Sequence, residues 1–330
     1  MNKNNLPTVL VTGGAGYIGS HTVLALCDQG YPVVVVDNLC TGFLEAVDKR
    51  AVVHVCDIAD KEAVRTIIRD HKITAIMHFA GSVVVPESVE NPIKYYYNNS
   101  VNTLGLIDVA AQEGVEGFVF SSTAATYGIP DTIPVHEDMG KHPINPYGYS
   151  KLCSEVMLRD VSATCSMHHG ILRYFNVAGA DPQMRSGQRT KNATHLIKIT
   201  SEHLCGKRPE IHVFGTDYPT PDGSGIRDYI HVSDLADIHV AALAHILSTR
   251  TSLTMNCGYG TGYSVLEVLN VAQQVTGKPM NIIHGPRRAG DPPALISDCT
   301  RLRELLQWQP RYHDLAFIIK TAYEWEQNNL

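Results

Sequence analysis

The sequence has no apolar run approaching the ~20 residues needed to cross a bilayer, so neither a spanning helix nor a membrane partner is expected. It has no block of Lys or Arg and carries a formal net charge of -6, which gives nucleic acid or an anionic surface nothing to bind. Aromatic residues are only 7% of it, and none alternate with Arg or Lys in a stripe on which bases could stack. Its eight cysteines (Cys27, Cys40, Cys56, Cys153, Cys165, Cys205, Cys257 and Cys299) form no Cys-x-x-Cys pair and follow no secretory leader. Reduced thiols in a cytoplasm are therefore expected. The 16 histidines include no His-Glu-x-x-His or Cys/His ligand spacing, so no metal is expected. No repeat or low-complexity tail is visible. What remains is the composition of an ordinary enzyme of 330 residues, enough for a large core and one or two domains.

The first half alternates two signals. Short apolar runs at Val9–Val11, Val33–Val36, Val52–Cys56, Ile76–Ala80, Phe118–Phe120 and Ile171–Phe175 are separated by helical spacings at Ser20–Gln29, Lys61–Arg69 and Pro92–Glu113. Strands apolar on both faces, alternating with helices, predict a doubly wound parallel α/β sheet of the Rossmann type, covered on both sides. Beyond residue 176 the segments shorten and gain Gly, Pro, Asp and Thr, which predicts a smaller C-terminal domain over 177–330. The expected division is a dinucleotide domain over 1–176, with a returning segment near 228–258, and a substrate domain after it.

The loop Gly13-Gly14-Ala15-Gly16-Tyr17-Ile18-Gly19 follows the first strand and opens the first helix. Glycines there permit a sharp turn and a close approach of backbone N–H groups to a pyrophosphate, with the positive end of the helix behind them. Asp37 follows Gly19 by 18 residues at the tip of the second strand, placed to accept hydrogen bonds from an adenosine ribose. Its charge would repel a 2′-phosphate, so NAD is expected rather than NADP. Asp57-Ile58 and Phe79-Ala80-Gly81 end the third and fourth strands, where ligands of open parallel sheets lie.

Tyr147 and Lys151 stand four apart at the head of a predicted helix and share one face. A free phenol titrates near pH ~10, and bringing it to about 7 needs roughly 4 kcal/mol of preference for the phenolate. One cation about 4 Å away, at an effective dielectric of ~20, is worth about that much. The spacing thus suits a base near neutrality, although it equally describes a solvated helix face.

With the glycine loop, Asp37, Ser121-Ser122-Thr123 and Tyr147/Lys151, the chain resembles the extended short-chain dehydrogenase/reductase family, and within it the nucleotide-sugar epimerases. The likeness extends over nearly the whole chain, through Arg173-Tyr174-Phe175-Asn176 and Gly215 to Val232. It implies reversible epimerisation of UDP-galactose and UDP-glucose at C4 through a 4-keto sugar, with the hydride kept on bound NAD. Tyr147 would be the base, Lys151 would lower its pKa and hold the nicotinamide ribose, and Thr123 would bond the reacting oxygen. By the same resemblance Gly13, Gly16, Tyr17, Ile18, Gly19, Asp37, Asn38, Leu39, Cys40, Thr41, Gly42, Asp57, Ile58, Phe79, Ala80, Gly81, Ser82, Val83, Asn99, Thr123, Tyr147, Lys151 and Phe175 would hold NAD. Thr123, Tyr147, Asn176, His195, Leu196, His212, Val213, Phe214, Arg227, Arg288, Asp291 and Leu295 would meet the UDP-hexose, the two guanidinium forks matching phosphate oxygens. Read alone, Arg227 is a surface ion pair with Asp228. Val83 stands where family members carry Lys. Leu295 stands where some carry Tyr and others a small residue, and its intermediate size implies some tolerance for N-acetylated sugars. Helices Pro92–Glu113 and Ser150–Arg159 pair with their copies in relatives, implying a homodimer.

A 4,6-dehydratase needs Asp-Glu after the threonine, whereas Thr123 is followed by Ala124 and Ala125. A 4-epimerase of another UDP-sugar (UDP-glucuronate, a UDP-pentose or UDP-N-acetylglucosamine) differs only in pocket detail and stays the alternative. A simple reductase would release its cofactor each turn, and a non-catalytic sensor would not need all of Thr123, Tyr147 and Lys151.

Overall fold

Val33–Asp37 is buried along its whole length in the computed structural model, which describes residues 6–191, 193–288 and 291–329. Its alternate residues feed two cores: Val33 and Val35 pack on one face of a sheet, Val34 and Val36 on the other. The same alternation runs through Val9, Leu10 and Val11, so the apolar runs are central strands.

Seven parallel strands form this sheet in the order β10-β6-β5-β4-β1-β2-β3. They are β1 (Thr8–Thr12), β2 (Val33–Asp37), β3 (Val52–Val55), β4 (Ile73–His78), β5 (Gly117–Thr123), β6 (His168–Tyr174) and, returning late in the chain, β10 (Leu253–Cys257). Helices α1 (Tyr17–Asp28) and α8 (Val232–Thr249) cover one face; α2 (Lys61–Asp70), α5 (Asn102–Gln112) and α6 (Pro146–Ser162) cover the other. Short α3 (Val85–Glu90) and α4 (Pro92–Tyr95) precede α5. The remainder carries β7 (Asn176–Ala178), β9 (Ile226–His231), β11 (Gly262–Ser264) and β13 (Ala294–Leu295) as a second sheet, and β8 (Ile211–Phe214) beside β12 (Ile282–Gly285) as a third. Helices α7 (Leu196–Leu204), α9 (Val265–Thr276), α10 (Thr300–Leu306) and α11 (Leu315–Asn328) complete it.

Three expected boundaries need correction. The helix expected over Pro92–Glu113 is continuous to Gln112 but widens into a π-helical stretch at Tyr96–Val101, which periodicity cannot reveal because the apolar spacing continues across it. β4 ends at His78 rather than Ala80, leaving Phe79-Ala80-Gly81 free as a loop. Ser121, Ser122 and Thr123 lie within β5, still paired with β6, rather than after it.

Several histidines are structural. Burial pushes His21 and His239 down to about 4, and His78 and His231 down to about 3. In the unfolded chain they titrate near ~6.5, so below that pH the unfolded state binds more protons and stability falls. Each contributes a loss of roughly 1.4 kcal/mol per pH unit until its folded value is reached. The melting temperature is expected to hold above pH 7 and to drop steeply between about 6.5 and 4.5. A flat profile across that window would contradict the assignment.

Candidate active site

Strand order reverses between β1 and β4, and the crevice at their carboxyl ends is where an open α/β sheet receives a ligand. The glycine loop sits there. Gly13 has φ +72, and a Cβ on it would lie 2.5 Å from the Ala80 backbone nitrogen; one on Gly19 would lie 2.2 Å from the Gly13 carbonyl oxygen. Only glycines let β1, α1 and the loop after β4 close up so far. Helix α1 begins behind Gly16 with no side-chain cap and no acidic residue in its first turn, so its N–H groups are open to an anion.

Asp37 ends β2 and bridges this region, Oδ2 accepting from Ala15 N at 3.0 Å and Oδ1 from Leu39 N at 2.8 Å. Each oxygen keeps a lone pair for a further donor. Asn38 Nδ2 donates to Asp57 Oδ2 at 2.7 Å, which joins the ends of β2 and β3 and sets Asn38–Gly42 and Asp57-Ile58 along one rim. Asn99, on the π turn, closes the opposite side: Oδ1 accepts from Ser82 N at 2.7 Å, while Nδ2 donates to Ser82 O and Ser150 Oγ, both at 3.0 Å. Phe79–Val83 is thereby tied to α6, with Val83 half exposed. The open helix terminus, the glycine cradle and the acceptor at Asp37 together fit an NAD pyrophosphate and adenosine ribose.

Tyr17 opens α1 beside the glycine loop. Its hydroxyl donates to Gly179 O at 2.6 Å, away from the glycine loop. What Tyr17 offers the crevice is its backbone N–H, while its ring ties α1 to the segment after β7.

Thr123, Tyr147 and Lys151 converge beside this crevice. Asn145 caps α6, its side chain accepting from Gly148 N at 2.9 Å, and starts the helix so that Tyr147 and Lys151 face β5. Both are buried, at 8% and 3% exposure. Burial dominates the electrostatics of both groups. Burial pushes the Tyr147 phenol up; its hydrogen bond with Thr123 acts in the opposite direction. Lys151 Nζ instead donates to Ser121 O at 3.0 Å and lies 4.9 Å from the centre of the Phe120 ring. Its own ammonium is pushed down to about 8, mainly by burial, with Glu155 opposing. Spacing brought the two groups to one face but did not reveal how dry that face is.

The residues expected at the sugar nucleotide come from the second half. Phe175 and Asn176 follow β6, His195 and Leu196 open α7, and His212–Phe214 lie in β8. Arg288 stacks over Phe214, guanidinium to ring centre 4.0 Å. Arg227 does not pair with Asp228: that carboxylate is buried and accepts from Tyr259 N, Gly260 N and Ser297, whereas the Arg227 guanidinium lies 3.9 Å from Asp291. Leu295 lies opposite Arg227 in the β13·β9 pairing and packs on the cluster of Ala124, Tyr127, Val135 and Phe175, next to Thr123.

A buried network was not foreseen. Glu155, one turn beyond Lys151 on α6, pairs with Arg173, Nε to Oε1 at 2.8 Å and Nη2 to Oε2 at 2.6 Å. The available signal was the spacing Tyr147, Lys151, Glu155, one turn each.

The sequence profile of the NAD dependent epimerase/dehydratase family matches residues 9–258. The chain belongs to that family. Among similar family members, a UDP-glucose 4-epimerase of Azospirillum brasilense is 52% identical over 322 residues, covering 98% of this chain and 92% of its own. The crystal structure of a UDP-glucose 4-epimerase from Brucella ovis in complex with NAD has a TM-score of 0.94 at 41% identity, covering 97% of this chain and 98% of its own. That of the UDP-Glc/GlcNAc 4-epimerase from Campylobacter jejuni has a TM-score of 0.86 at 46% identity, covering 98% and 99%. The crevice is thus that of an NAD dependent epimerase/dehydratase.

Proposed function

We propose that this chain is an NAD-dependent isomerase that interconverts UDP-galactose and UDP-glucose at C4. The observation that carries the reading is the convergence of Thr123, Tyr147 and Lys151 beside a crevice suited to NAD, in a chain 52% identical to a UDP-glucose 4-epimerase. When bound, NAD supplies the two-electron acceptor and donor and a positively charged ring. Its pyrophosphate is held at Gly13–Gly19 and its adenosine ribose by Asp37. The loops Asn38–Gly42, Asp57-Ile58 and Phe79–Val83, with Asn99 and Phe175, complete its site.

Tyr147 Oη takes the proton of the C4 hydroxyl and later returns it to the same oxygen. Thr123 Oγ1, which favours the phenolate, holds that oxygen in line. Lys151 brings positive charge to the phenolate and a donor to the ribose. Arg227 and Arg288 grip the diphosphate, with Asn176, His195-Leu196, His212–Phe214 and Asp291 around the uridine end. The site is dry enough for these charges to matter, and an apolar wall of Ala124, Phe175 and Leu295 leaves the 4-keto sugar free to turn. On this reading residues 1–176 with the return near 228–258 bind NAD and 177–330 bind the UDP-sugar. Incubating the purified protein with UDP-galactose and no added NAD should yield UDP-glucose without net NADH. Absence of product on adding NAD as well would sink the proposal.

Leu295 supports turnover of the N-acetylated pair, and the Campylobacter jejuni relative is a UDP-Glc/GlcNAc 4-epimerase. Leu295→Tyr should lower kcat/KM for UDP-N-acetylglucosamine about 10- to 200-fold while sparing UDP-galactose. Undetectable turnover of UDP-N-acetylglucosamine by the unmodified protein would remove this second substrate pair.

The homodimer is proposed through the face carrying Val89, Ile93, Tyr97, Val101, Tyr149 and Val156, each at least 43% exposed. Light scattering at twice the chain mass would support it. No described helix is long and apolar enough to cross a membrane, and the eight free thiols fit a reducing compartment, the cytoplasm being the proposed one.

A further inference from the structure

Glu155 has no solvent exposure. Its carboxylate collects four donors: Ser122 Oγ at 2.6 Å and Arg173 Nε at 2.8 Å on Oε1, Arg173 Nη2 at 2.6 Å and, more weakly, Arg159 Nη1 at 3.4 Å on Oε2. Arg173 is in turn held through Nη1 by Tyr127 Oη at 2.9 Å and Glu137 O at 3.2 Å, and Tyr127 donates to Asn256 at 2.7 Å. Such a pair is not explained as a stability device, because desolvating two ions offsets most of their attraction and apolar side chains of similar volume usually serve as well. Something else needs a charge there.

Lys151, one turn back on α6, is that group. It is buried with one hydrogen bond to the protein, to Ser121 O. Around it stand Tyr147 on its own helix, the Asn99 amide near Gly81, the Phe120 ring on β5, and His78 on β4, which is neutral. None of these carries a negative charge. The carboxylate that favours the ammonium is that of Glu155, one turn further along α6. Lys141 and His169, on other elements, sense the same carboxylate. Ser122 supplies a second link. It stands between Ser121, whose carbonyl receives Lys151, and Thr123, which meets Tyr147, so its bond to Glu155 fixes the strand end that aligns both.

We propose that Glu155 is a positioning residue for the reaction: its buried carboxylate, anchored by Arg173, keeps the Lys151 ammonium charged and, through Ser122, holds Ser121 and Thr123 in register with α6. The proposal rests on Tyr147 and Lys151 being the reacting pair, and its test reads that pair both with and without turnover.

The test compares holoenzymes of the unmodified chain, Glu155→Gln, Glu155→Asp, and the double variant Glu155→Gln/Arg173→Met. Two profiles are recorded for each: kcat for UDP-galactose against pH, and ultraviolet titration of the Tyr147 phenolate as the difference from a matched Tyr147→Phe protein. In Glu155→Gln the alkaline limb of kcat should move down by at least about 1 pH unit, a tenfold loss of charged Lys151 at a given pH. The phenolate should form at correspondingly higher pH, and KM should stay within about twofold because none of the groups bonded to Glu155 is one assigned to the diphosphate. Glu155→Asp should restore the limb. The double variant removes both ions, so it should fold even where the single variant does not, yet keep the lowered limb. A folded double variant with both profiles at their unmodified positions overturns the proposal, as does its failure to fold, which would make the pair structural. If no variant epimerises but the phenolate titration shifts as stated, the functional reading fails and the Glu155 assignment stands.

Discussion

Tyr147→Phe is expected to lower kcat for UDP-galactose by about 10² to 10⁴, the usual contribution of a positioned acid or base. The change removes one oxygen from a side chain that is 8% exposed and whose ring packs edge-on to Tyr95 at 6.4 Å. Phenylalanine keeps that packing, so folding and cofactor content should be unchanged. KM should move little, since the grip on the diphosphate is assigned to Arg227 and Arg288 and not to the phenol. Thr123→Ala should cost less, because Thr123 orients the proton without being its acceptor. Residual turnover of Tyr147→Phe within threefold of the unmodified chain would show that another group accepts the proton. The pH dependence adds a check: with the phenol pushed up by burial and Lys151 down to about 8, activity depends on the interval in which Lys151 is still charged.

The largest stability effect is expected from Arg173→Met. Arg173 is among the largest fully buried side chains, and its removal strands the Glu155 carboxylate among Ser122, Lys151 and a distant Arg159 contact. Breaking a buried pair from one side costs about 3 to 5 kcal/mol, because a charge is left without its partner in a dry interior. Urea unfolding should register that loss, and Glu155→Gln added to it should recover most of it. A single variant as stable as the unmodified chain would mean that Glu155 takes up a proton at little cost, and would remove the electrostatic account of the network.

The sheet was legible because its strands are apolar on both faces and need no context to be recognised. The same holds for the glycine loop and Asp37, where chain geometry alone restricts the residue type. The alternative reading of Arg227 as a partner of Asp228 fails because adjacency in sequence says nothing about strand faces: neighbours on β9 point opposite ways, one to Asp291 and one to Ser297. The bond of the Tyr17 hydroxyl to the Gly179 carbonyl, 162 positions away, had no signal in the sequence.

Periodicity, capping and turn chemistry act within a few residues, and that reach sufficed for the doubly wound fold, the dinucleotide crevice and the shared face of Tyr147 and Lys151. Burial acts between distant segments. Whether Lys151 meets Tyr147 or Ser121 O, whether Tyr147 is pushed up or down, and why Glu155 lies one turn further along depend on β5, β6 and α6 closing over one dry space. The Tyr147/Lys151 spacing therefore put a phenol and an ammonium on one face, while their charges were set only when the chain around them excluded water.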